Sequence, residues 1–389
     1  MKVLMLLDNP FTNDWRVHRE AATLAGNGID VSLICIKEKD LPENEEISGV
    51  KVSRIIDKAV IDIKDRKYKL SLAEELAKRD FDVLHCHDQE MLNIGSKIKK
   101  IKKDKYGREI ILIYDSHELF NNYPLNMSGY DSILTFVKSA LVKKAQVLRE
   151  KLNGKYIDFL ITVNDSLAKN LNSYFHLKNQ PIVVRNIPEF AEQTKGNDLR
   201  KFFGIPEDTK ILVFIGANIY PRTLNLEQVI LEFKNQPDVF LVFIARKNSF
   251  QKQIENFVKG NGVKNVRFHD IIKPEQILQY LSSADVGLVP TWNRKDLSYW
   301  YALDNKLFEY LMAEIPILAT KQPEYVGIVE ENKIGVCVDP DVNNAYIDGF
   351  KKILANYEKY QSNTVRAKTT LNWENESKKL LHLYKNLSV

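Results

Sequence analysis

Short apolar, β-branched runs alternate with helix-like stretches along the whole 389-residue chain, and this alternation limits the possible folds more than any other feature. Residues 3–7, 31–36, 50–56, 83–85, 110–114, 159–163 and 182–184 form a first series of such runs. Residues 211–215, 239–244, 266–268, 286–290, 315–320 and 335–338 form a second. Short runs that are apolar on both sides, with amphipathic stretches between them, are the pattern of parallel strands covered by helices on two faces. The first helix is expected over residues 17–25, closed by Gly26 and Gly28. Between the two series, residues 188–206 are polar apart from Phe190 and Phe202-Phe203 and carry Gly196 and Gly204, which places a linker there. The spacing therefore predicts an α/β chain with domains over 1–190 and 191–365. A final amphipathic helix near 373–384, within 366–389, is expected to pack back on the first domain. In such folds ligands bind at the carboxyl ends of the strands.

Bulk properties exclude several classes. A 44% hydrophobic and 28% charged composition is that of a globular chain, and its length exceeds one ordinary core. No apolar stretch approaches the roughly 18 residues of a membrane span, and residues 1–7 meet Asp8 too soon for a signal peptide. Cys35, Cys86 and Cys337 are far apart and lack metal-ligand spacing, so reduced structural thiols and a cytoplasmic setting are expected. A net charge of +5 gives no argument for nucleic acid. Basic residues are nevertheless concentrated between 97 and 151, at positions 97, 99, 100, 102, 103, 105, 108, 138, 143, 144, 149 and 151. Residues 136–144 mix apolar and basic side chains at helical spacing, as helices on anionic membranes do. Peripheral contact with the inner face of a membrane through 97–151 is one expectation, and an ordinary solvated helix is the other.

The stretch Asp304-Asn305-Lys306-Leu307-Phe308-Glu309-Tyr310 opens on a polar turn and continues with the apolar face Leu307, Phe308, Leu311, Met312 and Ile315. Pro316 is expected to stop this helix before a buried strand. A helix N-terminus attracts phosphate, and Glu309, one turn in, can accept hydrogen bonds from vicinal hydroxyls. That combination is a nucleotide site with ribose recognition.

Several further motifs occur in order: Asn13-Asp14-Trp15-Arg16-Val17 with Glu20-Ala21, His85-Cys86-His87-Asp88, Tyr114-Asp115-Ser116-His117-Glu118-Leu119-Phe120, Asn186-Ile187-Pro188, Gly216 with Arg222, and Ala284-Asp285-Val286-Gly287-Leu288. With Asn305-Lys306-Leu307-Phe308-Glu309-Tyr310 they span nearly the whole chain. The chain resembles the retaining glycosyltransferases of the GT-B fold, in the large family 4 group (glycosyl transferases group 1). The resemblance implies two doubly wound Rossmann-like domains facing each other across a cleft, the first on the acceptor side and the second on the donor side.

By this resemblance Glu309 holds the donor ribose, and the turn at Asn305, Lys306 and Leu307 offers amides to the diphosphate. Arg222, after the Gly216 turn, matches the basic position that stabilises charge on the departing diphosphate, with Lys306 as a second cation. His269 and Asp270 lie in the loop that brackets the nucleobase with main-chain groups. The family often carries another Glu eight residues before Glu309; this chain has Tyr301 there, and Tyr299 or Asp296 are further substitutes for reading the sugar. His117 occupies the family's motif position in the first domain, beside Glu118, and His87 ends the preceding strand. Asn13 or Asp14 would cap the next helix; alternatively Asn13, Asp14, Arg16 and Arg19 meet the acceptor or the donor diphosphate. A metal on His85, His87 and His117 is not expected, since no further cluster completes a ligand set. Asp115 and Glu118 lack the opposed placement of a hydrolase pair.

The implied activity is metal-independent, retaining transfer of a sugar from a nucleoside-diphosphate sugar, UDP favoured, to a glycan or lipid-linked acceptor in polysaccharide biosynthesis of the cell envelope. The nucleotide sugar enters as substrate, and no cofactor is expected. His117, Arg222 and Glu309 are the expected catalytic residues. The alternative is a non-catalytic sugar-nucleotide-binding protein of the same fold; a sugar-nucleotide epimerase is a third reading, against which the Asn-Lys-Leu-Phe-Glu-Tyr motif counts.

Overall fold

A computed structural model describes residues 1–58, 66–120, 133–192, 196–220 and 223–387. The chain forms two units, Met1–Asn186 with Glu376–Val389, and Ile187–Asn375. Among the described residues no helix is long and apolar enough to cross a membrane.

The first unit is built on β1 (Lys2–Leu6), β2 (Asp30–Ile36), β3 (Asn44–Ile47), β4 (Val50–Ile56), β5 (Val83–His87), β6 (Ile111–Ser116), β7 (Phe159–Thr162) and β8 (Ile182–Val183). Their order is β3-β4-β2-β1-β5-β6-β7-β8, and every pair is parallel except β3 with β4. Strand β3 is absent from the sequence expectation because Asn44-Glu45-Glu46-Ile47 carries no β-branched run. It forms through the Ser48-Gly49 turn, whose φ values of 51° and 77° give a two-residue hairpin with the twist of type I′. Its charged side chains suit an edge strand. The first helix, Trp15–Gly26, starts earlier than expected because Asp14 caps it, accepting from Val17 N at 3.1 Å. Gly26 is its last residue, and Gly28, at φ +81°, takes the left-handed turn beyond it.

The second unit holds β9 (Lys210–Ile215), β10 (Val239–Ile244), β11 (Val266–His269), β12 (Val286–Val289), β13 (Ile317–Thr320) and β14 (Gly335–Val338), all parallel, in the order β11-β10-β9-β12-β13-β14. Alternate residues of one strand feed two different cores. Ile211, Val213 and Ile215 pack in one cluster, while Leu212 and Phe214 pack in the other. This is why the strands read as unbroken apolar runs rather than alternating ones.

The helix Asn305–Met312 belongs to the first of those clusters. It ends before Pro316: Glu314 turns left-handed at φ +58°, Ile315 N donates to Tyr310 O (3.2 Å) and Glu314 N to Leu311 O (3.1 Å). That is a Schellman closure with Glu in the usual glycine place. Glu314 is fixed there by a buried ion pair with Lys368 (2.5 Å), which lies on the helix Tyr357–Lys368 packed against Asn305–Met312. The second unit consequently runs on to Asn375, past the expected 365. The terminal helix Trp373–Lys385 carries the chain back into the first unit, where Tyr384 Oη meets His85 Nδ1 at 2.9 Å.

Candidate functional site

In each unit the chain leaves its central strand in both lateral directions, first to one side and later to the other. The turning points are β1/β5 in the first unit and β9/β12 in the second. Crevices at the carboxyl ends of strands at such points bind ligands in doubly wound folds.

At β1/β5 stand Asp8, His87 and Asp88, with Asp115 and His117 at the end of neighbouring β6. Asp88 is held at φ +64°, a strained setting for a residue with a side chain, and begins the helix Asp88–Tyr106. Its carboxylate accepts from His117 N (3.1 Å) and faces His117 Nδ1 (3.3 Å). His117 Nε2 lies 3.5 Å from Asp115 Oδ2. Burial opposes charge on this imidazole, but Asp88 and Asp115 prevail and hold its pKa well above the usual histidine range. His117 is thus a fixed imidazolium, with both ring nitrogens facing carboxylates. Asp8 is pushed up to about 6 by burial and by the charge of Asp88, with His117 pulling the other way. Sequence reasoning missed Asp8 as a titrating group; its signal is an acid directly after an apolar strand.

Beneath this layer Arg16 joins Asp115 and Glu20. Its Nη2 lies 3.0 Å from both Asp115 oxygens and 2.9 Å from Glu20 Oε1, and its Nη1 donates to Val184 O at 2.6 Å. Residues 16 and 20 share the inward face of their helix, so both are buried. Arg16 was expected on the acceptor side; burial and its two carboxylate partners make it part of the unit's interior. Arg19 likewise donates to Asn186 Oδ1 (2.5 Å) and does not stand free for a phosphate. His87, another expected acceptor-side residue, is fully buried, its ring stacked on that of His85 with centroids 4.4 Å apart, since residues 85 and 87 point to the same face of β5. Burial, then the neighbouring His87, lowers His85 to about 4, so it is neutral. Of the remaining expected acceptor-side residues, Asp14 is the helix cap and also accepts from Asn9 Nδ2 (2.8 Å). Asn13 is exposed, 3.5 Å from Thr12 Oγ1, and Glu118 is exposed with its carbonyl accepting from Ser116 Oγ (2.9 Å).

The fold assembles one set that sequence spacing does not reveal. Ligand-type atoms of Glu20, His85, His87 and Asp115 lie within 4.8 Å of one another, all buried. The expectation that no further cluster completes a ligand set is therefore corrected for His85 and His87, which Glu20 and Asp115 join; His117 is not in the set. Both carboxylates lie against the Arg16 guanidinium, and burial raises Glu20 to about 8, so the set is an ion-paired, partly protonated interior rather than an open cation cage.

At β9/β12 the arrangement is different. The helix Asn305–Met312 begins at Asp304, whose side chain does not cap it. The Asp304 carboxylate instead accepts from Thr291 Oγ1 (2.7 Å) and pairs with Lys306 Nζ (2.6 Å). Burial alone would raise its pKa; Lys306 outweighs burial and holds it low. Lys306, expected as a second diphosphate cation, is thus engaged with Asp304 and also sits over the Phe214 ring (5.5 Å). Leu307 N donates to Asp304 O (3.1 Å), so of the three expected amides those of Asn305 and Lys306 are the uncapped ones. Asn305 is exposed and Leu307 fully buried.

Glu309 follows one turn in. No hydrogen bond to its carboxylate is found among the described residues, and burial, only partly offset by Lys306, raises its pKa. Next to it Tyr310 Oη donates to Leu288 O (3.1 Å) and accepts from Ile215 N (3.0 Å), bridging β12 and the end of β9. Its ring lies where a Cβ on Gly287 would come within 2.3 Å, which is why glycine stands there. Sequence reasoning missed this clamp; the Gly287 and Tyr310 pair is its only sequence signal.

Gly216 N donates to Ile244 O (3.0 Å) at the end of β9, and Arg222 lies outside the described residues. Asp296, one proposed substitute for a sugar-reading carboxylate, caps the turn Leu297–Trp300 by accepting from Ser298 N (3.0 Å); Tyr301 is the half-buried residue that closes that turn, next to Tyr299. His269 ends β11 with Nδ1 2.7 Å from Asp270 O and its ring among Phe202, Phe203 and Tyr280, while the Asp270 side chain is exposed and accepts from Ile271 N (2.8 Å).

Comparison with known proteins bears on the family and the fold. Residues 196–370, which lie inside the second unit, match the family described as "Glycosyl transferases group 1". The chain is 23% identical over 385 residues to an uncharacterized glycosyltransferase of Methanocaldococcus jannaschii, covering 94% of this chain and 92% of the relative. Among solved structures, sucrose-phosphate synthase from Thermosynechococcus elongatus superposes with a TM-score of 0.76 at 17% identity, covering 99% of this chain and 98% of that one. Anabaena HepE in complex with UDP superposes with a TM-score of 0.69 at 12% identity over the whole of both chains. The motifs' resemblance to group 1 glycosyltransferases holds, and the fold, with its two parallel-sheet domains, is GT-B.

Proposed function

We propose, from a chain with the GT-B fold and a group 1 glycosyltransferase match in its second unit, that it is a retaining, metal-independent glycosyltransferase using a UDP-sugar. The observation that carries the reading is Glu309, a half-buried carboxylate without a protein hydrogen bond among the described residues, one turn inside a helix whose first amides have no side-chain cap. A free carboxylate in that position fits the vicinal hydroxyls of a ribose, and the uncapped amides of Asn305 and Lys306 fit the diphosphate. Arg222 adds charge for the departing diphosphate. The UDP in the HepE structure supports uridine as the base.

In this reading Gly216, His269 and Asp270 line the donor's nucleotide end and Tyr301 its sugar. Asp8, Asp88 and His117 stand on the acceptor side. The acceptor oxygen bonds the anomeric carbon on the face from which the diphosphate leaves. The leaving phosphate takes the acceptor's proton, so no side-chain nucleophile is needed. The acceptor is a glycan or lipid-linked glycan of polysaccharide biosynthesis in the cell envelope, met at the cytoplasmic face of a membrane through residues 97–151.

Thermal unfolding with UDP, GDP, ADP, TDP and CDP, beside Glu309→Ala, tests the donor site. A nucleotide at about a hundred times its dissociation constant stabilises by about 2.7 kcal/mol, a shift of several degrees. UDP alone is expected to give that shift, and Glu309→Ala to abolish it. No shift with any nucleotide overturns the reading; a shift without sugar transfer from any UDP-sugar turns it to the non-catalytic alternative.

A further inference from the structure

A second concave site lies in the first unit, between the helices Arg66–Leu76, Asp88–Tyr106 and Ile133–Asn153. It is a cavity of ≈ 450 Å³ lined by Arg66, Lys69, Lys97, Lys100 and Arg149, with no acidic side chain in its wall. Four basic residues of the 97–151 region are already paired outside the cavity: Lys99 with Asp158, Lys103 with Glu109, Lys105 with Glu74 and Arg108 with Asp80 and Asp82. In the cavity, Lys69 pairs with Glu90 (2.8 Å) and Lys100 with Asp104 (2.5 Å). Lys97 reaches only the neutral Asn93, through its carbonyl (2.9 Å) and Oδ1 (2.6 Å), and no carboxylate pairs with Arg66 or Arg149 among the described residues. The wall also presents Asn153 Nδ2, a buried donor without an acceptor. Burial first, then the charges of Arg149 and Lys69, lower the Lys97 ammonium to about 8, with Glu90 offsetting them only in part.

The cavity continues into an apolar surface. Val137, Leu141, Ala145, Leu148 and Leu152 recur at helical spacing on one side of Ile133–Asn153. They face outward: Leu141, Leu148 and Leu152 are 63%, 59% and 61% exposed. Lys138, Lys144 and Lys151 flank the stripe, and Leu152 is shared with the cavity wall. Cations with an orphan donor beside an outward apolar stripe are complementary to a phosphate joined to acyl chains.

We propose that this cavity binds the headgroup phosphate of an anionic phospholipid while the stripe rests in the acyl boundary. The proposal deepens the membrane contact in the functional reading above and rests on that part of it; it does not depend on the nucleotide site.

The test is co-sedimentation of the full chain with phosphatidylcholine vesicles, with and without phosphatidylglycerol, for the wild type, Lys97→Gln/Arg149→Gln, and Leu141→Gln. Inorganic phosphate is titrated in parallel by thermal unfolding. Binding is expected only where phosphatidylglycerol is present. The double variant should partition roughly thirty-fold more weakly, from about a factor of five per basic residue, and Leu141→Gln should also lose binding. Unchanged thermal unfolding of the variants without vesicles establishes that they fold. Equal binding to pure phosphatidylcholine, or undiminished binding by the folded double variant, overturns the proposal. So does stabilisation by inorganic phosphate without vesicle binding, which would assign the cavity to a soluble phosphate. A UDP shift measured on the same samples separates failure of this site from failure of the donor site, because Lys97 and Arg149 lie in the first unit and Glu309 in the second.

Discussion

The two switch points treat charge in opposite ways. At β1/β5 most of the buried charge is paired from within: Arg16 lies against Asp115 and Glu20, and His117 stands between Asp88 and Asp115, while burial raises Glu20 to about 8 and Asp8 to about 6. At β9/β12 only Asp304 and Lys306 answer each other, and Glu309 is left over, next to amides that no side chain caps. A saturated network stiffens a fold and binds nothing with the groups it consumes. An unanswered carboxylate is a cost to the empty protein that a ligand can recover. By this criterion the donor chemistry proposed above belongs to the second unit, and the inner layer of the first unit is architecture.

The sharpest way to break this contrast is Arg16→Met. Removing the guanidinium leaves Asp115 and Glu20 buried side by side, which costs about 3–5 kcal/mol. The urea midpoint of the first unit should fall accordingly, while the thermal shift given by UDP at temperatures where the protein is folded should persist. If Arg16→Met is as stable as wild type but loses nucleotide binding, the assignment of Arg16 to architecture fails.

Asp8 tests the outer layer through pH. Its native pKa of about 6 lies above the ordinary aspartate value of 3.8, so its contribution to stability is fully present below about pH 3.8 and is lost as pH rises through 6. Asp8→Asn should therefore stabilise the protein by about 3 kcal/mol at neutral pH, with the gain shrinking to nothing near pH 4. Urea titrations across that range check it; a gain independent of pH would assign the effect to packing instead of charge.

Asp14 separates its two expected roles. As a cap its loss to Ala costs about 1 kcal/mol, and Ser, which also caps, should restore most of it. If Asp14→Ala unfolds at the wild-type urea midpoint but transfers sugar more slowly, the acceptor-side role is the correct one.

These cases also show what a sequence can disclose. The strand–helix alternation survives in the structure because buried parallel strands need continuous apolar runs, which are visible locally. Strand β3 has no such run; its evidence is a Ser-Gly turn that makes sense only once β4 is placed. The helix Asn305–Met312 ends ahead of Pro316, as the sequence suggests, but the left-handed closure at Glu314 and its pairing with distant Lys368 could not be read locally. The place of Glu309 one turn inside its helix was legible because it depends only on the local helix start. Arg16 was not, since its partner Asp115 is 99 residues away and nothing near Arg16 marks it as buried. Residues whose role depends on nearby backbone can be read from sequence; residues whose role depends on long-range pairing are read as free charges until the fold pairs them.

The smallest expected stability effect belongs to Glu309 and has the opposite sign to that of Arg16. Glu309→Gln keeps the shape and removes a charge whose burial is answered only in part by Lys306. The ligand-free protein should gain about 0.5 kcal/mol, the low end of gains from relieving such sites. Nucleotide affinity measured by calorimetry should meanwhile fall by roughly ten-fold or more, since bonds from ribose hydroxyls to a charged acceptor are worth about 1.5–3 kcal/mol. The two readouts moving in opposite directions would establish that this carboxylate is kept for a ligand. A loss of stability together with unchanged affinity would make Glu309 one more structural charge, and the contrast between the two switch points would disappear.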